Sequence, residues 1–174
     1  DGKIDIVTTN YGANTMSILL NKGNGTFNTK VDYVTGAGPE GISVGDINGD
    51  NKPDIVVANA FYADSISVFI NNGDGTFASK VDYSTATNSG PFKVNLTDIN
   101  GDGSLDIVSV NNFDGSMTTF INNGQGIFSN RVDYTSVGDG VAFDVGDFNG
   151  DNLPDVAAID STNSKVMIYL NNTN

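Results

Sequence analysis

Three stretches of the sequence place acidic and amide side chains at the same short spacing. They are "DINGDNKPD" at 46–54, "DINGDGSLD" at 98–106 and "DFNGDNLPD" at 147–155. Each has Asp or Asn at positions 1, 3, 5 and 9 and Gly at position 4. Two carboxylates 4 Å apart repel by about 1 kcal/mol in water. A sequence that gathers them repeatedly is therefore expected to bind a cation there.

The oxygen atoms of the first stretch suit Ca²⁺. Asp46, Asn48, Asp50 and Asp54 supply side-chain oxygens, and the backbone carbonyl of Lys52 would complete a ring. Oxygen ligands that include several carboxylates, with no nitrogen or sulfur, are typical of Ca²⁺ sites. None of the three stretches is an EF-hand loop, because all of them lack the Glu that this motif has at position 12. The alternative is an ordinary polar hairpin in which Asp and Asn form Asx-turns.

The 174-residue chain contains neither cysteine nor histidine. Disulfides, thiolate metal sites and Ser–His or Cys–His catalytic pairs are therefore excluded, and zinc, copper and haem lose their usual ligands. The formal net charge of −13 argues against nucleic acid as a partner. The sequence shows no apolar run of membrane-spanning length and no signal-peptide pattern. Because it begins with an Asp inside a motif, we expect a mature or excised piece.

A repeat of about fifty residues sets the acidic stretches in register. Its landmarks are "NKGNGTF" at 21, "NNGDGTF" at 71, "NNGQGIF" at 122 and "NNTN" at 171. About 3.5 units are present. We predict a single repeat domain over 1–174, divided into a partial blade 1–40, blades 41–92 and 93–141, and a partial blade 142–174.

Each unit is predicted to form four short strands and no helix. In the second unit they are "GISVGDI" (41–47), "PDIVVAN" (53–59), "SISVFINN" (65–72) and "KVDYSTA" (80–86), which alternate in polarity or are rich in β-branched residues. One such sheet cannot cover both of its own faces. Units of this length that stack around an axis form a β-propeller. The predicted fold is therefore an all-β propeller of four-stranded antiparallel blades, with an open β-solenoid as the alternative.

Two further predictions follow from the repeat. The chain should contain fourteen strands, in groups of three, four, four and three, with unpaired strand edges at both ends. The recurring aromatic residues Phe27, Phe77 and Phe128 should pack between blades.

The pattern "D-x-N-G-D-x-x-x-D", followed by "IVVAN", an alternating strand and "NNGDGTF", resembles the FG-GAP/VCBS repeat. That family includes integrin α-subunit propellers and many secreted bacterial proteins, and the resemblance covers essentially the whole chain. It implies a propeller, often seven-bladed, with Ca²⁺ in the loop between the first two strands of each blade. By position it implies two more complete ligand sets and an incomplete one at the amino terminus. They are Asp98, Asn100, Asp102, the Ser104 carbonyl and Asp106; Asp147, Asn149, Asp151, the Leu153 carbonyl and Asp155; and Asp1, the Lys3 carbonyl and Asp5.

The metal is expected to be structural, because the same loop recurs in every unit. The leading hypothesis is a calcium-stabilised extracellular module, secreted or at the cell surface, that serves adhesion, interaction or assembly. The alternatives are a carbohydrate-binding, lectin-like propeller and a non-catalytic propeller region of a secreted polysaccharide-degrading enzyme. We expect the chain itself not to be an enzyme, because no acid/base pair stands outside the metal loops.

Aromatic residues in the variable segments between second and third strands are the candidate contacts to a protein or glycan partner. They are Tyr11, Phe61, Tyr62 and Phe113. The alternative is that they cap the ends of the blades. The open strand edges offer a route to self-association, so the chain is either a window on a longer propeller or a subunit of a ring or filament. Asn24, Asn95 and Asn171 match the glycosylation pattern, and the turn at Asn24 needs no glycan to explain it.

Overall fold

The computed structural model describes residues 2–135 and 140–172, which form fourteen β-strands in four antiparallel sheets. Sheet 1 consists of β1 (Ile6–Asn10), β2 (Thr15–Leu19) and β3 (Val31–Val34). Sheet 2 consists of β4 (Pro39–Gly45), β5 (Asp54–Asn59), β6 (Ser65–Phe69) and β7 (Val81–Ser84). Sheet 3 consists of β8 (Pro91–Thr97), β9 (Asp106–Asn111), β10 (Ser116–Asn122) and β11 (Phe128–Tyr134). Sheet 4 consists of β12 (Phe143–Gly146), β13 (Asp155–Asp160) and β14 (Lys165–Tyr169).

The all-β prediction and the grouping of strands are confirmed. The only helical element among the described residues is a single 3₁₀ turn, Tyr11–Ala13. The same residues contain no helical segment that could span a lipid bilayer. Each sheet is an antiparallel meander, so alternate connections lie at opposite ends of it. The acidic loops and the NNG hairpins share one end, and the aromatic connections lie at the other.

The strands of sheet 2 differ from their predicted bounds. Strand β4 begins at Pro39, two residues earlier than predicted, β6 ends at Phe69, three residues earlier, and β7 spans only Val81–Ser84. Strand β4 ends at Gly45, two residues earlier than predicted, because the carboxylate of Asp46 begins to accept backbone hydrogen bonds of the loop. The alternation in β6 places Ile66 and Val68 on one face and Ser67 on the other. Both faces are buried, including Ser67, because sheet 2 lies between sheets 1 and 3.

Three hydrophobic clusters fill the spaces between consecutive sheets. Met16 and Ile18 meet Ile55 and Val57 between sheets 1 and 2, and similar clusters lie between sheets 2 and 3 and between sheets 3 and 4. The prediction for Phe77 and Phe128 is confirmed: each ring lies edge-on to a tyrosine of the preceding sheet, at 5.5 Å from Tyr33 and 5.4 Å from Tyr83, respectively. Phe27, in the hairpin of sheet 1, is half-buried.

The first strands of sheets 2, 3 and 4 lie next to one another, β4 beside β8 and β8 beside β12. The approach of β4 to β8 is close at Gly41. A Cβ atom there would lie 2.8 Å from the Cα atom of Lys93, so only glycine fits. The sheets therefore stack in chain order with their first strands adjacent.

Candidate metal loops and aromatic patch

Each acidic loop curls around the carboxylate at its first position. Asp46 accepts hydrogen bonds from the backbone N–H of Gly49 at 2.8 Å and of Asn51 at 2.7 Å. Asp98 and Asp147 make the same pair of bonds to their own loops. Gly49 and Asn51 both have positive φ angles, +78° and +63°, which let the chain reverse within a few residues. The loops are thus built alike in three sheets.

The side chains at positions 3 and 5 form Asx-turns. The amide oxygen of Asn48 accepts the N–H of Asp50 at 3.0 Å, and the carboxylate of Asp50 accepts the N–H of Lys52 at 3.0 Å. The Lys52 ammonium also contacts Asp50 at 3.1 Å and lowers the pKa of that carboxyl. The predicted ligands Ser104 and Leu153 donate their N–H groups to Asp102 and Asp151 in the same way. The loops therefore contain the Asx-turn hydrogen bonds that are expected of an ordinary polar hairpin.

The ninth position is a fully buried carboxylate in all three loops. Asp54 accepts the N–H of Ile47 at 3.1 Å and the N–H of Asn71 at 2.8 Å. Asp106 and Asp155 repeat both bonds. These residues therefore tie the acidic loop to the end of the third strand, a role that their spacing did not predict.

The surroundings of Asp54 favour a cation. Burial raises the pKa of Asp54, and the nearby carboxylates of Asp50 and Asp46 raise it further. The two backbone N–H groups lower this pKa, but they do not cancel the increase. Burial and neighbouring carboxylates raise the pKa of Asp106 in the same way. A divalent cation would relieve this repulsion, because it reverses the sign of the local interaction.

The donor set fits Ca²⁺, but it is not a preassembled cluster. Within residues 2–135 and 140–172, no three acidic side chains are gathered closely enough to hold a metal ion. The loop carboxylates are instead directed at backbone N–H groups; one oxygen of Asp46 accepts those of Asn48, Gly49 and Asp50. At the amino terminus Asp5 accepts the N–H of Asn21 at 2.8 Å, Lys3 lies in the cleft between sheets 1 and 2, and Asp1 lies outside the described residues.

A repeated asparagine links the acidic loops of sheets 2 and 3 to the next sheet. Asn122 is 2% exposed, and its amide donates to the carbonyls of Ile47 at 2.7 Å and Leu105 at 2.9 Å. Asn171 likewise donates to the carbonyl of Ile99 at 2.6 Å, so this bond engages the nitrogen that N-glycosylation would modify. This role was not predicted, although the asparagine that recurs at 71, 122 and 171 is a signal of it.

The four aromatic candidates form one surface across three sheets. The ring of Phe61 lies edge-on to Tyr11 at 5.7 Å, to Tyr62 at 5.5 Å and to Phe113 at 5.6 Å. Tyr62 is 93% exposed, and the other three rings are about half exposed. We call these four residues the aromatic patch. Their exposure shows that the rings form a surface and are not part of the buried core.

The backbone beneath the aromatic patch is closely fitted to it. A Cβ atom on Gly38 would lie 2.6 Å from Phe61, and one on Gly90 would lie 2.5 Å from the ring of Phe113. Asp64 accepts N–H groups of Asn88 and Gly90 at 2.7 and 3.0 Å, and so joins the loop of sheet 2 to sheet 3. Tyr62 has a φ angle of +58°, which costs energy for a residue of this size. Tyr62, whose backbone is strained, is thus also the most exposed residue of the aromatic patch.

Comparisons with known proteins agree with the repeat. A model of the FG-GAP-like repeat family matches residues 1–57, 46–109 and 98–158. One similar solved structure is described as showing specific recognition of non-reducing terminal N-acetylglucosamine by an Agrocybe aegerita lectin. It is 20% identical, with a TM-score of 0.57, and the alignment covers 97% of this chain and 49% of that one. At this identity the likeness shows the fold alone, and the chain spans about half of that structure. No curated protein matches significantly.

Proposed function

Since the chain belongs to the FG-GAP-like repeat family, we propose that it is a calcium-stabilised propeller module that binds a partner through the aromatic patch. The propeller arrangement is supported by the stacking of sheets in chain order and by the adjacent first strands of sheets 2, 3 and 4. The module is proposed to be non-catalytic and to act in adhesion, interaction or assembly.

Calcium would be held by the oxygen atoms at positions 1, 3, 5, 7 and 9 of each acidic loop. In sheet 2 these belong to Asp46, Asn48, Asp50, Lys52 and Asp54. The ion supplies positive charge next to a buried carboxylate, and the chain supplies a loop already curled by its own hydrogen bonds. Because binding favours the folded state alone, it would stabilise that state.

The proposal places the chain outside the cell. Extracellular calcium modules bind with dissociation constants of about 10⁻⁴–10⁻³ M, and we expect the acidic loops to bind Ca²⁺ in this range. Calorimetric titration with Ca²⁺ tests this point. A dissociation constant below about 10⁻⁶ M would instead place the loops among the intracellular sensors and buffers.

The aromatic patch is the observation that carries the binding function. Rings from three sheets form a continuous exposed surface, and aromatic residues dominate the energetics of interfaces. The strained backbone of Tyr62 supports the same conclusion, because strain held at an exposed side chain is a feature of functional sites.

The experiment compares immobilised wild-type chain with Tyr62→Ala in the capture of cell-surface proteins, before and after enzymatic deglycosylation of those proteins. Tyr62 is nearly fully exposed, so the variant should fold normally. Protein capture that survives deglycosylation and is lost in Tyr62→Ala supports the proposal. Equal capture by both chains contradicts it. Val132→Ala, an exposed apolar residue of sheet 3 outside the patch, is the control.

Glycan binding is the second candidate. It is favoured by the aromatic patch, since rings of this kind stack on sugars, and by the likeness to the N-acetylglucosamine-binding lectin. A glycan array probed with wild type and Tyr62→Ala separates the two functions. Binding to particular terminal sugars, lost in the variant, would replace the protein partner with a glycan.

A further inference from the structure

The sequence contains six Asn-Gly dipeptides, and all of them lie in turns between strands. They begin at Asn24, Asn48, Asn72, Asn100, Asn123 and Asn149. None of the six asparagines is buried. In such a pair the glycine nitrogen can attack the side-chain amide carbon of the asparagine, because glycine has no side chain that obstructs the approach. The reaction replaces the amide with a carboxylate, so each pair is a candidate site of modification.

The acidic loops oppose this reaction. Gly49 donates its N–H to the carboxylate of Asp46 at 2.8 Å. Gly101 and Gly150 donate to the first-position carboxylates of their own loops, at 2.8 and 2.6 Å. The attack requires loss of this proton, and the nitrogen would then carry negative charge beside a carboxylate. The loops therefore protect the asparagines that they contain, which are Asn48, Asn100 and Asn149.

The hairpins of sheets 2 and 3 hold the glycine N–H in a weaker way. Gly73 donates to the amide oxygen of Asn71 at 2.7 Å, and Gly124 donates to that of Asn122 at 3.1 Å. These acceptors carry no charge, so they oppose the loss of the proton less than a carboxylate does. The hydrogen bond must still break before the nitrogen can attack. Asn72 and Asn123 should therefore react slowly.

The pair in the hairpin of sheet 1 is arranged differently. The N–H of Gly25 donates to no acceptor among the described residues. The side-chain oxygen of Asn24 accepts two hydrogen bonds from Thr26, one from its N–H at 3.1 Å and one from its hydroxyl at 2.6 Å. Two donors on this oxygen stabilise the negative charge that develops there during the attack. The nitrogen is therefore free to react, and the amide carbon is activated.

Sheet 2 shows that this hairpin accommodates the product. Asp74 occupies the position equivalent to Asn24 and accepts the N–H and the hydroxyl of Thr76, at 2.9 and 2.6 Å. Gly75 has a φ angle of +86°, close to the +82° of Gly25. Asp74 is also exposed, although sheet 2 packs against sheet 1. The exposure of this position is thus a property of the hairpin and does not depend on a neighbouring sheet.

We propose that Asn24 is a site of spontaneous deamidation, which the fold selects from the six Asn-Gly pairs. The nitrogen of Gly25 loses its proton to hydroxide and bonds to Cγ of Asn24, and the bond from Cγ to Nδ2 breaks with release of ammonia. Water then opens the cyclic imide, at Cγ to give isoaspartate's normal isomer, aspartate, with the backbone intact once the imide nitrogen leaves Cγ, or at the backbone carbonyl to give isoaspartate. The net reaction consumes water, releases ammonia and adds a negative charge to the chain. This proposal depends neither on calcium nor on the aromatic patch.

The test follows the folded 174-residue chain, produced without glycosylation, in EGTA at mildly alkaline pH. Peptide mass spectrometry measures the conversion of each of the six asparagines over time. We expect Asn24 to convert at least about tenfold faster than the acidic-loop asparagines, which is the factor that one hydrogen bond to a charged group supplies. Conversion of Asn24 that is no faster than theirs overturns the proposal.

The same measurement in guanidinium chloride separates the fold from the sequence. In the unfolded chain the hydrogen bonds of the turns are lost, so the six rates should converge. Equal selectivity for Asn24 in the folded and unfolded chains would show that the neighbouring residues in the sequence choose the site, and would also overturn the proposal.

Variants of the two hairpins test the activation. Thr26→Ala removes the hydroxyl donor and should slow the conversion of Asn24 by at least about threefold, which is less than inside an enzyme because water replaces part of the lost bond. Thr26→Ser, which retains the hydroxyl, is the matched control. Asp74→Asn should create a second site, because the N–H of Gly75 also donates to no described acceptor. Equal rates in the two Thr26 variants, or conversion at position 74 that is no faster than at Asn72, contradict the proposal.

Asp46→Asn tests the protection by the acidic loop. The variant keeps an oxygen that can accept the N–H of Gly49, but it removes the negative charge. Asn48 should therefore convert at least about threefold faster than in wild type, while Asn100 of the same chain is unchanged. An unchanged rate at Asn48 would contradict the proposed cause of the selectivity.

Discussion

The side-chain amide of Asn122 donates a hydrogen bond of 2.7 Å to the backbone carbonyl of Ile47, and so joins sheet 3 to the acidic loop of sheet 2. Its oxygen accepts the N–H groups of Gly124 and Gly126, both at 3.1 Å. One buried side chain therefore supports a loop of the preceding sheet and the hairpin of its own.

Replacing Asn122 with alanine should destabilise the fold strongly. The substitution leaves the carbonyl of Ile47 and the N–H of Gly126 without this partner in a buried site, and each such group costs about 1–3 kcal/mol. We expect the free energy of unfolding, measured by urea denaturation, to fall by about 2–5 kcal/mol. Asn72→Ala is the control, because Asn72 lies exposed in the corresponding NNG hairpin of sheet 2. A loss below about 0.5 kcal/mol in Asn122→Ala, the size expected of a surface substitution, would contradict the proposed link.

Much of the fold was predictable because the repeat keeps Gly and Asn at the same turn positions and its strands are short and rich in β-branched residues. The residues at which the strands begin and end were less predictable from the sequence. Strand β4 ends at Gly45 because Asp46 captures backbone N–H groups, a competition that polarity alternation does not show. The spacing indicated where the acidic loops lie, and their role as metal ligands stays a prediction. The hydrogen bonds of Asn122 and Asp54 were not predicted, because they join residues on different strands or sheets, and only the folded chain brings these together.

Removing calcium should lower the melting temperature. A site that binds only the folded state stabilises it by about 2.7 kcal/mol when the free ion is at 100 times its dissociation constant. For a chain of this length, 1 kcal/mol corresponds to roughly 2–4 °C. We therefore expect the melting temperature, followed by circular dichroism, to be at least 5 °C higher in saturating Ca²⁺ than in EGTA. Identical curves in the two conditions would remove the structural role of the metal.

A single-loop variant assigns this effect to the acidic loops. Asp50→Asn should reduce the gain from Ca²⁺ by about one site, because it removes a charged ligand. In EGTA the same variant should be about as stable as wild type, because the removal of a carboxylate that raises the pKa of Asp54 is offset by the loss of the exposed Asp50–Lys52 ion pair. Asp74→Asn is the matched control, because Asp74 lies in the exposed NNG hairpin outside the predicted ligand sets. Equal Ca²⁺ responses of the two variants would exclude the loop of sheet 2 as a metal site.

Gly41→Ala should test the close approach of the first strands. The added methyl group would lie 2.8 Å from the Cα atom of Lys93 and from the carbonyl oxygen of Phe92, and backbone atoms cannot move aside as a flexible side chain can. Overpacking of this kind costs about 1–3 kcal/mol. Gly12→Ala is the control, because no atom lies within 4 Å of the added group and its φ angle is not positive. Urea denaturation that finds the two variants equally stable would show that β4 and β8 are not packed this closely.

Tyr62→Gly should separate stability from binding at the aromatic patch. Tyr62 has a φ angle of +58° and is 93% exposed, so its side chain contributes little burial to offset the strained backbone. Glycine adopts this conformation without the steric cost, although it also increases the conformational entropy of the unfolded chain. We expect the free energy of unfolding to be unchanged or up to about 1 kcal/mol higher, while binding of the partner or glycan is lost. Tyr134→Gly, at a half-exposed tyrosine of β11 outside the patch, should instead destabilise the sheet and leave binding intact. A Tyr62→Gly chain that is clearly less stable than wild type would show that this residue is retained for folding and not for recognition.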